Sequence, residues 1–129
     1  MQTTIVATLM VVDDVSIDEV LREINEFVSE RDWDQFHNPK NLASSISIES
    51  SELQELIQWT SPSFNEISTD PERKKMMEDE LADVMIYSLR FCTLLGSNPL
   101  EIIRRKVKEN GEKYPVSLSK GSSKKYTEL

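Results

Sequence analysis

Residues 48–59 read IESSELQELIQW, and the spacing of their apolar side chains indicates a helix with one face toward a core. Together with the residues just upstream, these side chains form a single helical stripe. The stripe consists of Leu42, Ile46, Leu53 and Leu56. Glu49 occupies the place in the stripe where another apolar side chain belongs. A carboxylate in a core-facing seam is costly without a partner, so Glu49 points to a function.

The composition indicates a single soluble domain rich in helix. The chain has 129 residues, of which 38% are apolar, 29% are charged and only three are glycine. The formal net charge of -8 argues against nucleic acid as a partner, because binding its phosphates needs clustered Lys and Arg. A polyanion could bind only where a metal ion supplied positive charge.

The cysteine count and the start of the chain bear on the compartment. Cys92 is the only cysteine, so no intrachain disulfide can form and we expect a cytoplasmic protein. The apolar run from Ile5 to Val12 has no basic flank and no small-residue cleavage site, so we do not expect a signal peptide. No run approaches the roughly 20 apolar residues of a membrane span, and we expect no membrane association.

Four start signals predict four helices, and hence an all-α subunit resembling a four-helix bundle. Each signal is a capping side chain followed by Glu or Pro. The signals are Ser16 with Glu19, Asn38 with Pro39, Asp70 with Pro71, and Asn98 with Pro99. We expect the second helix to end near Trp59 and residues 60–70 to form a surface loop. The predicted division is a leader (1–15), an all-α domain (16–115) and a polar, basic tail (116–129) that is flexible without a partner.

The third predicted helix is apolar almost all round. Its apolar residues are Leu81, Ala82, Val84, Met85, Ile86, Leu89, Phe91, Cys92, Leu94 and Leu95. Such a helix lies at the centre of a bundle or is buried against another subunit. In a chain this small the pattern favours a homo-oligomer; the alternative is a monomer with this helix at its centre.

Two acidic pairs border apolar seams. Glu49 and Glu52 are three residues apart, as are Glu80 and Asp83, so each pair lies on one side of its helix. In an antiparallel hairpin the two pairs lie at similar heights, about 10 and 14 Å from the connecting loop. Four converging carboxylates repel one another, and an all-oxygen site of this kind suits Mg²⁺. The alternative is that they are ordinary surface carboxylates.

Four segments occur in this order along the chain: ERDWDQFHNPKNL, ESSELQELIQW, EDELADVMIY and KVKENGEKYP. Together they resemble the MazG-like all-α NTP pyrophosphohydrolases, and most of all the branch that cleaves dCTP. The resemblance covers roughly residues 17–129 and implies that Glu49, Glu52, Glu80 and Asp83 bind Mg²⁺. It also implies cleavage of a nucleoside triphosphate between its α and β phosphates, with a glutamate of the first pair as catalytic base, in a dimer or a dimer of dimers.

The same resemblance assigns the substrate contacts. The phosphate-binding run of the family is matched by Lys106, Asn110, Lys113 and Tyr114. The alternative for the lysines is a structural role, because the helix dipole favours cations near a C-terminus. Trp33, His37 and Trp59 match its base pocket, with Asn41 and Tyr87 as neighbours; aromatic faces stack on any nucleobase.

The sequence also departs from the family. Ile48 and Ser51 stand where the family often has a glycine and another small residue, which bears on base preference. The resulting hypothesis is Mg²⁺-dependent hydrolysis of dCTP or a modified dCTP in nucleotide-pool sanitation. The alternatives are the same reaction on dUTP or another non-standard nucleotide, and a helical interaction module without activity.

Overall fold

The computed structural model describes residues 14–129, and every regular element in this range is helical. The four long helices are α1 (Ile17–Glu30), α2 (Pro39–Glu55), α4 (Pro71–Leu95) and α5 (Pro99–Lys113). The short ones are α3 (Phe64–Ser68), α6 (Val116–Ser119) and the 3-10 helices Asp34–Phe36 and Tyr126–Glu128. The all-α prediction is confirmed. The apolar run from Ile5 to Val12 lies outside the described residues.

The predicted helix starts are confirmed by their capping hydrogen bonds. The Ser16 hydroxyl accepts from the Glu19 N–H at 3.1 Å, and Asn38 Oδ1 accepts from the next turn at 2.8 Å. The Asp70 carboxylate accepts from a backbone N–H in the first turn of α4 at 3.2 Å. Asn98 Oδ1 accepts from two backbone N–H groups in the first turn of α5, at 2.9 and 3.2 Å. Each cap satisfies N–H groups that have no partner within the helix.

Two predicted boundaries were wrong. Helix α2 ends at Glu55 and not near Trp59. Beyond Glu55 the backbone hydrogen bonds join residues three apart and not four, as in the 3.2 Å bond from the Ile57 N–H to the Gln54 carbonyl. The expected loop 60–70 contains α3, which the Ser63 hydroxyl caps by accepting from the Glu66 N–H at 3.2 Å. This Ser-x-x-Glu pattern is the same signal that starts α1.

The chain divides into two compact units, with the boundary between Phe91 and Cys92. The core of the first unit contains Ile24, Val28 and Leu42, with the buried Arg90. The apolar residues of α4 are not all buried, since Leu81 is 46% exposed and Met85 is 50% exposed. Part of the apolar surface of α4 is therefore exposed in the single chain.

The turn after α1 sets the direction in which the chain leaves the helix. Asp32 has φ of 55°, in the left-handed region, and its N–H donates to the Ser29 carbonyl at 3.0 Å. The Trp33 N–H donates to the Val28 carbonyl at 3.1 Å. This pair of bonds is a Schellman motif, with aspartate in the place that glycine usually takes. It directs Trp33 and the following segment away from the helix axis.

In the second unit, the tail has more structure than its polar composition predicts. Helix α6 and the final 3-10 helix both form in it. The Tyr126 ring meets the Tyr114 ring edge to face with centroids 6.0 Å apart, and the Lys113 ammonium lies 5.0 Å from the Tyr126 ring centre. Over the described part of the chain, no helix combines the length and the apolar character needed to cross a bilayer.

Candidate active site

Helices α2 and α4 bring three acidic side chains together. One carboxylate oxygen from each of Glu49, Glu52 and Glu80 lies within 4.8 Å of the other two. The i to i+3 spacing places the first two on one side of α2, and α4 supplies the third. The structure thus brings together three of the four predicted metal ligands, while Asp83, one turn further along α4, lies outside this group of three.

The electrostatics of this cluster disfavour four negative charges. Glu49 Oε2 and Glu80 Oε2 are both buried and have no hydrogen-bond partner among the described residues. The pKa of Glu49 is raised from 4.5 to about 7, first by burial and then by neighbouring Glu52, which can accept a hydrogen bond from protonated Glu49. Burial, followed by Glu52, also raises the pKa of Glu80. Carboxylate oxygens that lack donors fit a hard divalent cation such as Mg²⁺.

Asp83 and Tyr87 connect the acidic cluster to a neighbouring cavity. Burial raises the pKa of Tyr87, and the negative charges of Glu49, Asp83 and Glu52 raise it further. Both Asp83 and Tyr87 also line a cavity of about 440 Å³ in the first unit. The cavity and the acidic cluster are therefore adjacent.

The cavity lies between α1, α4 and the segment that joins α1 to α2. Its aromatic and imidazole lining includes Phe27, Trp33, His37 and Tyr87. The rings of Phe27 and Trp33 meet edge to face, with centroids 5.6 Å apart. Trp33 is 43% exposed, so its ring is open to a ligand. A mostly apolar cavity with a few polar groups suits a flat heterocycle.

Two residues assigned to the base pocket lie elsewhere in the single chain. The Asn41 side chain donates to the Phe36 carbonyl at 2.9 Å, and so holds the 3-10 helix Asp34–Phe36 in place. Trp59 follows the end of α2, is 87% exposed and does not line the cavity. Of the five residues assigned to the base, the structure brings Trp33, His37 and Tyr87 together.

Arg90 lines the same cavity and was missed by the sequence analysis. It is buried, with 5% of its surface exposed, and contacts side chains of α1 and of the segment after it. Arg90 is the one basic residue in the mainly apolar part of α4, residues 81–95, and this was the available signal, of the same kind as Glu49 in its seam.

The residues assigned to phosphate lie in the second unit. Lys106, Asn110 and Lys113 project from α5 at spacings of four and three residues, so they share a helix face, and Tyr114 caps the helix. Lys106 lies 3.8 Å from the Glu109 carboxylate, and Lys113 is held over the Tyr126 ring. These ammonium groups are exposed donors.

Comparisons with known proteins agree with this architecture. The chain matches the MazG-like family over residues 44–129. It is 36% identical to dCTP pyrophosphatase 1 of Mus musculus over 115 residues, which are 88% of this chain and 68% of that protein. The Homo sapiens protein of the same name is also 36% identical, with the same coverage. A crystallised pyrophosphatase from Archaeoglobus fulgidus superposes with a TM-score of 0.71 at 44% identity, covering 80% of this chain and 95% of that one.

The chain belongs to the MazG-like family. Together with these relatives and its fold, this makes it a hydrolase of the pyrophosphatase class.

Proposed function

We propose that this protein hydrolyses dCTP, or a dCTP modified on its base, between the α and β phosphates. The products are the nucleoside monophosphate and pyrophosphate, and the biological sense is removal of unwanted nucleotides before a polymerase uses them. The observation that carries the proposal is the meeting of Glu49, Glu52 and Glu80 beside an aromatic cavity. The dCTP pyrophosphatase relatives support the choice of nucleotide.

Glu49, Glu52, Glu80 and Asp83 would hold Mg²⁺. A bound Mg²⁺ supplies positive charge, which neutralises phosphate oxygens and helps to align a triphosphate. The unsatisfied oxygens of Glu49 and Glu80 support this assignment, because each is a buried acceptor without a donor.

The protein's own residues carry the remaining chemistry. A glutamate of the first pair, Glu49 or Glu52, accepts the proton of the water that attacks the α phosphorus, and the bond to the departing pyrophosphate breaks. Lys106, Asn110, Lys113 and Tyr114 bind the phosphate chain by donating hydrogen bonds. The Trp33 ring stacks on the base, and His37 and Tyr87 contact its edge.

We also propose that the active form is a dimer or a dimer of dimers. Leu81 and Met85 on α4 leave apolar surface exposed. Trp59 and Asn41 remain proposed base contacts. Because Trp59 does not line the cavity of its own chain, we propose that it reaches the cavity of a second copy in the oligomer. Light scattering on the purified protein should give at least twice the monomer mass of 14.9 kDa.

The reaction is tested by assaying pyrophosphate release from dCTP, 5-methyl-dCTP, dUTP, CTP, dTTP, dATP and dGTP with Mg²⁺. We expect the highest kcat/KM with dCTP or its methylated form. In ¹⁸O-labelled water the label should appear in the monophosphate, because attack occurs at the α phosphorus. Preference for dUTP would replace the base assignment, whereas release of orthophosphate alone would contradict the proposed cleavage site.

The catalytic assignment is tested by Glu49→Gln, with Glu78→Gln as matched control. Glu78 lies on α4 two residues before Glu80 and is exposed, so the control changes one charge on the opposite face of the helix. We expect Glu49→Gln to lower kcat by about 10²–10⁴-fold and Glu78→Gln to leave it unchanged. A protein that hydrolyses no nucleotide while keeping its helical circular dichroism would favour the interaction module.

A further inference from the structure

Arg90 is a buried cation that joins three parts of the first unit. Its Nη1 donates to Asn25 Oδ1 on α1 at 2.9 Å, and its Nη2 donates to the carboxylate of Asp34. Its Nε donates to Nδ1 of His37 at 3.1 Å. A buried charge is stable only when it is paired and hydrogen-bonded, and these partners satisfy that condition. The planar guanidinium serves all three at once, which a lysine ammonium cannot do in the same geometry.

The bond to His37 fixes the state of the imidazole. Arginine has donors only and stays protonated, so Nδ1 of His37 must accept and therefore carries no proton. A neutral imidazole with a bare Nδ1 carries its single proton on Nε2. Burial lowers the pKa of His37, and the charge of Arg90 lowers it further, with Asp34 acting in the opposite direction. The neutral form follows from both the hydrogen bond and the surroundings.

The protonated edge of His37 is available for a ligand. Within residues 14–129, no hydrogen bond joins His37 Nε2 to another group. The imidazole forms part of the wall of the cavity that Trp33 and Tyr87 also line. A ring stacked on Trp33 would meet at this wall one N–H donor, which can pair only with an acceptor.

We infer that Arg90 is a positioning residue for base recognition: it holds His37 as the Nε2–H tautomer, which donates a hydrogen bond to an acceptor on the base. For a cytosine the acceptors are the O2 carbonyl and the N3 ring nitrogen. The opposite tautomer would present a lone pair and repel both. The inference rests on the proposed function, since it takes the cavity to be the base site.

The test uses the fact that His37 is the only histidine in the chain. Protein grown with ¹⁵N-imidazole histidine gives one imidazole in a long-range ¹H–¹⁵N correlation spectrum, which reads the tautomer directly. For the full-length wild type near pH 7.5 we expect protonated Nε2 and bare Nδ1. Adding dCMP should shift the Nε2–H signal.

Arg90→Lys and Arg90→Met remove the bond to Nδ1, while Asn25→Ala removes one partner of Arg90 without touching His37. In both Arg90 variants we expect a mixture of tautomers and a KM for dCTP raised about tenfold, with a much smaller change in kcat. Asn25→Ala should keep the Nε2–H tautomer and a KM near that of the wild type. A purely structural role for Arg90 would lower the melting temperature without moving the tautomer or separating KM from kcat.

The outcomes separate the two proposals. A wild type that hydrolyses dCTP but carries its proton on Nδ1, or on both nitrogens, overturns the role of Arg90 and leaves the proposed function standing. Variants with mixed tautomers and an unchanged KM also overturn it. A wild type that hydrolyses no nucleotide overturns the proposed function, and base recognition by His37 with it. If the Arg90 variants fail to fold, the wild-type spectrum still shows whether His37 is the Nε2–H tautomer, and so still tests the inference.

Discussion

The carboxylates of Glu49 and Glu80 come from different helices, approach within 4.8 Å, and each keep one buried oxygen without a hydrogen-bond partner. Such a pair opposes the packing of α2 against α4 unless a proton or a cation lies between the charges. The stability of the first unit should therefore respond to both metal and pH.

Mg²⁺ should stabilise the folded protein. A ligand that binds only the native state adds about 2.7 kcal/mol at a concentration 100 times its dissociation constant. We expect a rise of several degrees in the melting temperature for the wild type, a smaller rise for Glu80→Gln, and the full rise for the exposed control Glu78→Gln. Differential scanning fluorimetry over a MgCl₂ series measures the change in melting temperature. Equal shifts in all three proteins would mean that the ion binds elsewhere.

Without metal, stability should fall as the pH rises. The pKa of Glu49 is about 7 in the folded protein and near 4.5 in the unfolded chain. Between these values the folded state binds the extra proton, so the free energy of unfolding decreases as pH rises from about 4.5 through 7 and then levels off. Urea unfolding in EDTA at pH 5, 6, 7 and 8 measures the slope.

Glu49→Gln supplies the control for this slope, because glutamine does not titrate. In this variant, the decrease in the free energy of unfolding with rising pH should be mostly lost. A smaller decrease should remain because the pKa of Glu80 is also raised. A wild-type slope equal to that of Glu49→Gln would show that Glu49 titrates normally in the folded protein.

Trp33→Ala should weaken base binding more than catalysis. Stacking of a base on an aromatic ring contributes about 1–3 kcal/mol, so KM for dCTP should rise roughly 5- to 150-fold with little change in kcat. Phe64→Ala is the matched aromatic control, since Phe64 is 92% exposed and does not line the cavity. Steady-state kinetics on both variants decides; an unchanged KM in Trp33→Ala would remove this tryptophan from the base site.

The contacts of Tyr126 predict a role for the tail. Its ring contacts Tyr114 and lies under the Lys113 ammonium, two residues proposed to bind phosphate. Each contact is worth about 0.5–1 kcal/mol, so Tyr126→Ala should raise KM for dCTP several-fold. Tyr126→Phe keeps the ring and should behave as the wild type. If both substitutions raise KM equally, the phenol oxygen matters and the ring contacts do not.

Local signals predicted the helices well, because capping and apolar spacing act within a few residues. The starts at Ser16, Asn38, Asp70 and Asn98 all form their predicted bonds. The same kind of signal at Ser63 was overlooked, since the Ser- and Thr-rich composition of residues 60–70 suggested a loop. The approach of Glu49, Glu52 and Glu80 could be predicted because the spacing of three residues sets each acidic pair beside an apolar seam, and such seams pack against one another.

The surroundings of Arg90 could not be predicted in this way. Its partners Asn25, Asp34 and His37 lie 53 to 65 residues away in the chain, and no spacing rule covers such distances. Likewise, helical spacing fixes the side of α4 on which Leu81 lies, but not whether its own chain or a second copy covers it.

The Schellman turn at Asp32 has a consequence for how substrate choice can change. It ends α1 and begins the short connection that carries Trp33 and His37, whereas the acidic cluster lies on α2 and α4. Substitutions within this connection can alter which heterocycle is admitted while the hydrolytic machinery keeps its register. Enzymes of this kind can thus evolve new nucleotide substrates through substitutions at a few positions between α1 and α2, while both helices stay unchanged.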